Sequence, residues 1–82
     1  MIKVLFFASV RDQLGVSELQ VTNQDNTDLD SLLANLIKQG TVWNKALNTK
    51  SLMMAINQTM VSSNCALKDG DEVAFFPVVT GG

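Results

Sequence analysis

Histidine and tyrosine are missing from this chain, and cysteine, proline and tryptophan occur once each among its 82 residues. With no histidine and with Cys65 alone, there is no ligand set for a structural zinc or iron–sulfur centre and no second thiol for an internal disulfide. A lone thiol suits a reducing compartment. Cys65 closes the polar run Ser62-Ser63-Asn64-Cys65, where a small residue is more often filler than nucleophile. Clustered cations are missing too. Six Lys and Arg against eight Asp and Glu give a formal net charge of -2, which argues against a nucleic acid or an anionic membrane as the main partner. Long apolar runs are also absent: Lys3 ahead of a hydrophobic stretch imitates a secretory leader, but Arg11 and Asp12 cut it short. No stretch nears the roughly 20 apolar residues of a membrane span, so a cytoplasmic location is expected.

What is present is enough for one folded domain. A hydrophobic fraction of 46% with 17% charged residues is that of a globule rather than a disordered segment. Residues 2–8, Ile-Lys-Val-Leu-Phe-Phe-Ala, predict a strand covered on one face and partly on the other. Residues 9–15, polar and ending in glycine, predict a loop; residues 17–22 alternate like the second arm of a hairpin. Thr27 is the expected N-cap, with Asp30 three residues on, of a helix in which Leu29, Leu32, Leu33, Leu36 and Ile37 form one apolar stripe. Lys38 and Gly40 supply its end. Val42, Trp43, Ala46 and Leu47 predict one or two further helical turns, with Trp43 as packing. Residues 52–57 read as a strand whose Met53 and Met54 fill the core, and Met60-Val61 as its partner across an Asn57-Gln58-Thr59 turn. Lys68-Asp69-Gly70-Asp71 signals a tight turn. It launches a last strand over residues 72–76, which Pro77, lacking an N–H, is expected to end.

Strand, strand, helix, strands is the order of an α+β domain of β-grasp type: a mixed sheet with one main helix on one face, over residues 1–76, followed by a tail of residues 77–82. With the first and last strands parallel, Val4 and Phe6 face the helix together with Val73 and Phe75. Lys3, Leu5 and Phe7 then share the open face with Glu72, Ala74 and Phe76. Polar residues lie where both strands begin and aromatic ones where both end. Phe7, Phe76 and Met60 predict an apolar docking patch beside the departing tail, with Arg11 near the same edge placed to pair with a partner carboxylate. The opposing reading covers Phe7 and Phe76 with the loop after Ser9 or with Met60.

The tail itself, Val78-Val79-Thr80-Gly81-Gly82, ends on two glycines. Lacking Cβ atoms, they can thread a narrow slot and leave the terminal carboxylate unshielded on both faces, at about 0.5–1 kcal/mol of ordering entropy for each. A frayed terminus is the competing reading. From Pro77 outward the tail, fully extended, reaches about 20 Å at ~3.3 Å per residue. With no nucleophile–base pair and no phosphate-cradling glycine loop, acid–base groups would have to come from a partner.

Residues 2–8 with Val10-Arg11, the Asn57-Gln58 turn, the segment Leu67-Lys68-Asp69-Gly70-Asp71-Glu72-Val73 and the ending Phe76-Pro77-Val78-Val79-Thr80-Gly81-Gly82 closely resemble the small subunits of molybdopterin synthases, a family of ubiquitin-like sulfur carriers. The match covers both ends and the third quarter of the chain; residues 17–50 agree in pattern alone. The Asp-Gly-Asp-Glu turn and the Gly-Gly end are shared by ubiquitin-like carriers generally, whereas Phe-Phe-Pro with Thr-Gly-Gly is more specific. Relatives commonly carry a second proline where this chain has Val78, a departure expected to free one backbone N–H and loosen the tail slightly.

The resemblance implies that an adenylating activating enzyme uses ATP to form an acyl-adenylate on Gly82, that a sulfur donor protein converts it to a thiocarboxylate, and that the chain binds no cofactor itself. It implies a complex with the large subunit of molybdopterin synthase, two small and two large subunits, in which sulfur passes to cyclic pyranopterin monophosphate. Gly81 and Gly82 would be the chemical end, Val79 and Thr80 the leash, and Phe7, Arg11, Met60 and Phe76 the partner interface. The chain would be one subunit of a sulfurtransferase rather than an enzyme alone. A thiamine-type sulfur carrier or a protein modifier would use Gly82 identically; a plain interaction module would have an inert end.

Overall fold

Strict alternation sets the first strand: β1 (Ile2–Phe6) buries Ile2, Val4 and Phe6 and turns Lys3 and Leu5 to the other side. In the computed structural model, which describes residues 1–78, the chain continues through α1 (Ala8–Leu14), β2 (Glu18–Val21), α2 (Leu29–Ile37), α3 (Thr41–Leu47), β3 (Leu52–Ile56), β4 (Thr59–Val61) and β5 (Glu72–Pro77). The five strands form one sheet in the order β2-β1-β5-β3-β4. β1 and β5 lie parallel at its centre, in the register Lys3–Glu72 to Phe6–Phe75; the other pairs are antiparallel. Helices and sheet close over one core in which Phe6, Phe75, Leu29, Leu32, Leu36 and Leu47 are almost entirely removed from water, each contributing about 1.5–3 kcal/mol of transfer free energy. Phe6 stacks on Phe75 at 6.0 Å and receives Trp43 edge-on at 5.7 Å, so Trp43 is a packing residue.

Four local expectations are corrected. Residues 9–15 do not form a loop: α1 occupies them, because Val10 is buried and Leu14, one turn on, packs against the core. Two apolar positions are too few for periodicity to reveal. Gly15 at φ 71 then closes the helix, its N–H donating to the Arg11 carbonyl at 2.8 Å.

The cap of α2 is Asp28 rather than Thr27. Its Oδ1 accepts the Ser31 N–H at 2.8 Å. Cys65 and Asn64 serve the two N–H groups before it: the Cys65 carbonyl accepts from Leu29 at 2.9 Å and the Asn64 Oδ1 from Asp30 at 2.9 Å. The Thr27 carbonyl is meanwhile bonded to the Leu67 N–H at 2.9 Å. The Ser62–Cys65 run is thus the lid on a helix end, whose orphan donors it satisfies.

Met54 packs against the core as expected, but Met53, one residue earlier, falls on the open face opposite Phe76. Finally, Pro77 does not end the pairing. β5 includes it, opposite Leu52, and the Val78 N–H donates to the Ser51 carbonyl at 2.7 Å. The freed N–H ties the chain down instead of loosening it. A proline at 78 has no such donor.

Candidate docking face and tail root

The register builds the open face as a lattice. Glu18, Leu5, Ala74, Ala55 and Met60 fall in one row across all five strands, and Phe76 and Met53 form the next pair towards the end of β5. Lys3 and Glu72, with Gln20 beside Lys3, occupy the row at the opposite end. Two alanines sit at the centre of the row, flanked by Leu5 and Met60, with Phe76 in the next row. Phe7 extends β1 by one residue: its N–H donates to the Phe75 carbonyl at 3.1 Å, which carries the parallel ladder past Phe6 and brings Phe7 level with Phe76. It then caps α1 from an extended conformation (φ -125°), and Ala8 turns the chain at φ 54.

Phe7 is 45% exposed and Met60 50% exposed, so neither the segment after Ser9 nor Met60 closes over Phe7. Phe76 is half-buried. Arg11 stands exposed on α1, 3.9 Å from Asp12, a loose surface pair of little energetic weight. Met53 and Ala55, which sequence reasoning missed on the open face beside the expected Phe76 and Ala74, needed the β3–β5 register, which alternation within one strand does not supply. Gly81, Gly82, Val79 and Thr80, the expected chemical end and leash, lie outside the described residues.

At the far end of the sheet the geometry is a clasp. Asn57 and Gln58 form the β3–β4 turn at φ 50 and 69, the doubly left-handed conformation of a tight hairpin. The Asn57 side chain reaches the start of β5, its Oδ1 accepting from the Glu72 N–H and its Nδ2 donating to Asp71 Oδ1, both at 3.0 Å. Asp71 Oδ2 accepts the Lys68 N–H at 2.8 Å. The Asn57 amide, then the Lys68 N–H, hold the Asp71 carboxyl below its ordinary range. The Met1 ammonium, bonded to Asp69, does the same for that carboxyl. No chemistry gathers here, and among the described residues no group of three His, Cys, Asp or Glu is placed to hold a metal ion.

A cleft of about 500 Å³ beside Val21 and Leu36 holds the amides of Asn26 and Asn35, which bond to one another. Asn26, buried, donates to the Thr22 carbonyl at 2.7 Å and accepts from Asn35 at 3.0 Å. No helix among the described residues is long and apolar enough to cross a membrane.

The model of the ThiS family matches residues 4–82. The chain belongs to the ThiS family. Its relatives include the molybdopterin synthase sulfur carrier subunit of Escherichia coli (strain K12), 48% identical over 82 residues with all of both chains covered. Among solved structures, a chain of the complex of subunits 1 and 2 of the molybdopterin-converting factor from Helicobacter pylori 26695 superposes with a TM-score of 0.73 at 26% identity, covering 99% of this chain and 97% of that one. SAMP1 from Haloferax volcanii reaches a TM-score of 0.76 at 21% identity over 99% and 98% of the two chains, a likeness of fold alone. The ThiS-family chain is therefore a ubiquitin-like β-grasp domain, as its strand order and central parallel pair require.

Proposed function

We propose that this chain is the sulfur-carrying small subunit of a molybdopterin synthase, acting in the cytoplasm and binding no cofactor of its own. The observation that supports it best is the convergence of two features at one end of the sheet. The apolar rows end at Phe7, Phe76 and Met53, and β5 ends beside them at Pro77, five residues before the final glycine.

In this reading the Gly82 carboxylate attacks the α-phosphorus of ATP on an activating enzyme, expelling pyrophosphate and leaving an acyl-adenylate. The terminal sulfur of a donor protein's persulfide attacks the acyl carbon and AMP departs. A thiol then reduces the acyl disulfide, so that the thiocarboxylate stays on Gly82. Bound to the large subunit, in an assembly of two small and two large subunits, the tail threads a slot that the paired glycines fit. The thiocarboxylate sulfur displaces an oxygen leaving group at a carbon of cyclic pyranopterin monophosphate, so that a C–O bond breaks as the C–S bond forms, and hydrolysis of the resulting thioester returns the Gly82 carboxylate and leaves the sulfur on the pterin. Phe7, Met60 and Phe76 hold the partner, Arg11 stands at the rim, Val79 and Thr80 span the slot, and Gly81 and Gly82 enter it.

Intact mass spectrometry after incubation with ATP, an activating enzyme and a sulfur donor tests this. The expected change is the replacement of one oxygen by one sulfur, abolished when a single alanine is appended after Gly82. An unchanged mass, under conditions that convert the Escherichia coli relative, refutes it.

A further inference from the structure

The end of the molecule where the chain leaves β5 is charged differently from the rest. Arg11, Lys45 and Lys50 lie on α1, on α3 and in the turn before β3, with Asp12 the one carboxylate on these segments, so this end is two positive. Three lysines against seven carboxylates leave the remainder four negative, which recovers the net -2 of the whole chain. The only ion pairs among the described residues are the Met1 ammonium with Asp69 and the weak Arg11–Asp12 contact. Lys45 and Lys50 are thus uncompensated within the described residues.

Lys45 also lines a cleft of about 120 Å³ beside the tail root, together with Ser9, Gln13, Thr49, Ser51 and Pro77. Three hydroxyls, an amide and an ammonium are the donors a carboxylate requires. The volume admits a side chain and is below the ~300 Å³ typical of small-molecule sites. Lys50 immediately precedes Ser51, whose carbonyl holds the Val78 N–H. Pro77 lines the cleft and Phe76, one residue before it, lies on the open face opposite Met53, so the cleft adjoins the end of the docking face.

We propose that this cleft, with Lys45 in its wall and Lys50 next in sequence to its Ser51, forms a second contact surface, fitted to an acidic segment bordering the slot of the large subunit that receives the tail. The inference rests on the proposed function and adds to it the sign of the partner's rim. The surface acts at encounter: uncompensated cations near the point of entry raise the association rate and leave dissociation to the apolar patch.

The test is stopped-flow association of the full chain with its own large subunit at several salt concentrations. Lys45→Glu/Lys50→Glu is expected to slow association about tenfold at low salt, and Lys45→Gln/Lys50→Gln about threefold, with the difference closing as the screening length shrinks towards ~3 Å at 1 M salt. Dissociation stays within about twofold and thermal unfolding is unchanged, since both side chains are exposed. Equal rates for wild type and both variants at low salt overturn the inference, as does faster association of the glutamate variant; either result leaves the proposed function standing. A wild-type chain that fails to bind the large subunit at all sinks both.

Discussion

Replacing Asn57 separates two contributions that the structure superimposes on one residue: a left-handed backbone and a side-chain clasp to β5. Alanine loses both. The two side-chain bonds, at 3.0 Å each, lie on an exposed turn, and contribute about 0.5–1.5 kcal/mol apiece. Holding an alanine at φ 50, where asparagine sits with less strain, costs about 1 kcal/mol more. Asn57→Ala is therefore expected to destabilise by about 2–4 kcal/mol. For a domain of this length, with about 4–12 kcal/mol in total, that is a large fraction, and it lowers the melting temperature by about 8–32 °C at ~4–8 °C per kcal/mol. Asn57→Gly keeps the backbone conformation accessible and loses the bonds, so with ~0.5–1 kcal/mol of extra chain entropy it costs about 1.5–4 kcal/mol and should fall between wild type and alanine, close to alanine. Urea unfolding followed by circular dichroism measures both. Because Glu72 lies about 13 Å along β5 from Phe76, the folded fraction of either variant should bind the large subunit as wild type does. An alanine variant within 0.5 kcal/mol of wild type refutes the clasp, on the ~0.5–1.5 kcal/mol assigned to each bond, and a glycine variant less stable than alanine refutes the strain argument.

Three further outcomes follow from the same geometry. Asp28, Asp69 and Asp71 all have depressed carboxyl pKa values, so the stability they add is complete above the unfolded value of 3.8 and is lost as pH falls through the lower folded values. Thermal melts between about pH 2 and 6 should show Asp71→Asn losing less on acidification than wild type, and parallel curves would remove Asp71 from the account. The Val78 amide, bonded to Ser51 at 2.7 Å, should exchange with deuterium at least about tenfold more slowly than an unstructured amide, whereas free exchange would show the tail rooted earlier. Met60→Asp, at a half-exposed site, should cost under ~0.5 kcal/mol of stability while raising the dissociation constant for the large subunit about tenfold by calorimetry; unchanged affinity would take Met60 off the docking face.

Much of this fold was legible because its signals are local and repeated. Five apolar positions at helical spacing announce α2, and alternation in β1 and β5, once the strands are taken as parallel, pairs Val4 with Val73 and Phe6 with Phe75 as observed. What was not legible was decided by distant partners. Thr27 and Asp28 are both good caps by type, and the choice falls to Asp28 because the Thr27 carbonyl is taken by Leu67 and Asn64 holds the second Asp28 oxygen at 3.2 Å. α1 is a helix of seven residues whose two apolar contacts become visible only when α3 and β5 are set against it. Met53 and Met54 are chemically equivalent neighbours, and only the register of β3 against β5 sends one inward and the other to the open face.

The same distinction divides the motifs that carry the family resemblance. Asn57-Gln58 and Asp69-Gly70-Asp71-Glu72 are far apart in sequence but form one unit, a hairpin turn bonded to the start of the neighbouring strand, with a surface salt link to the chain's first residue. Their contacts fix where β5 begins and tie it to the start of β1. Likeness in these segments is therefore evidence of a shared scaffold and carries no information about which partner is served. Phe7, Phe76 and Met60 are the reverse: large apolar side chains, Phe7 and Met60 about half exposed and Phe76 half-buried beside them, gathered on one face of the sheet. Selection for folding alone would replace them with polar residues at little loss. The end of the sheet next to Val78 is where a change of sequence should alter partner choice without altering the fold, and the end next to Asn57 is where it should do the opposite.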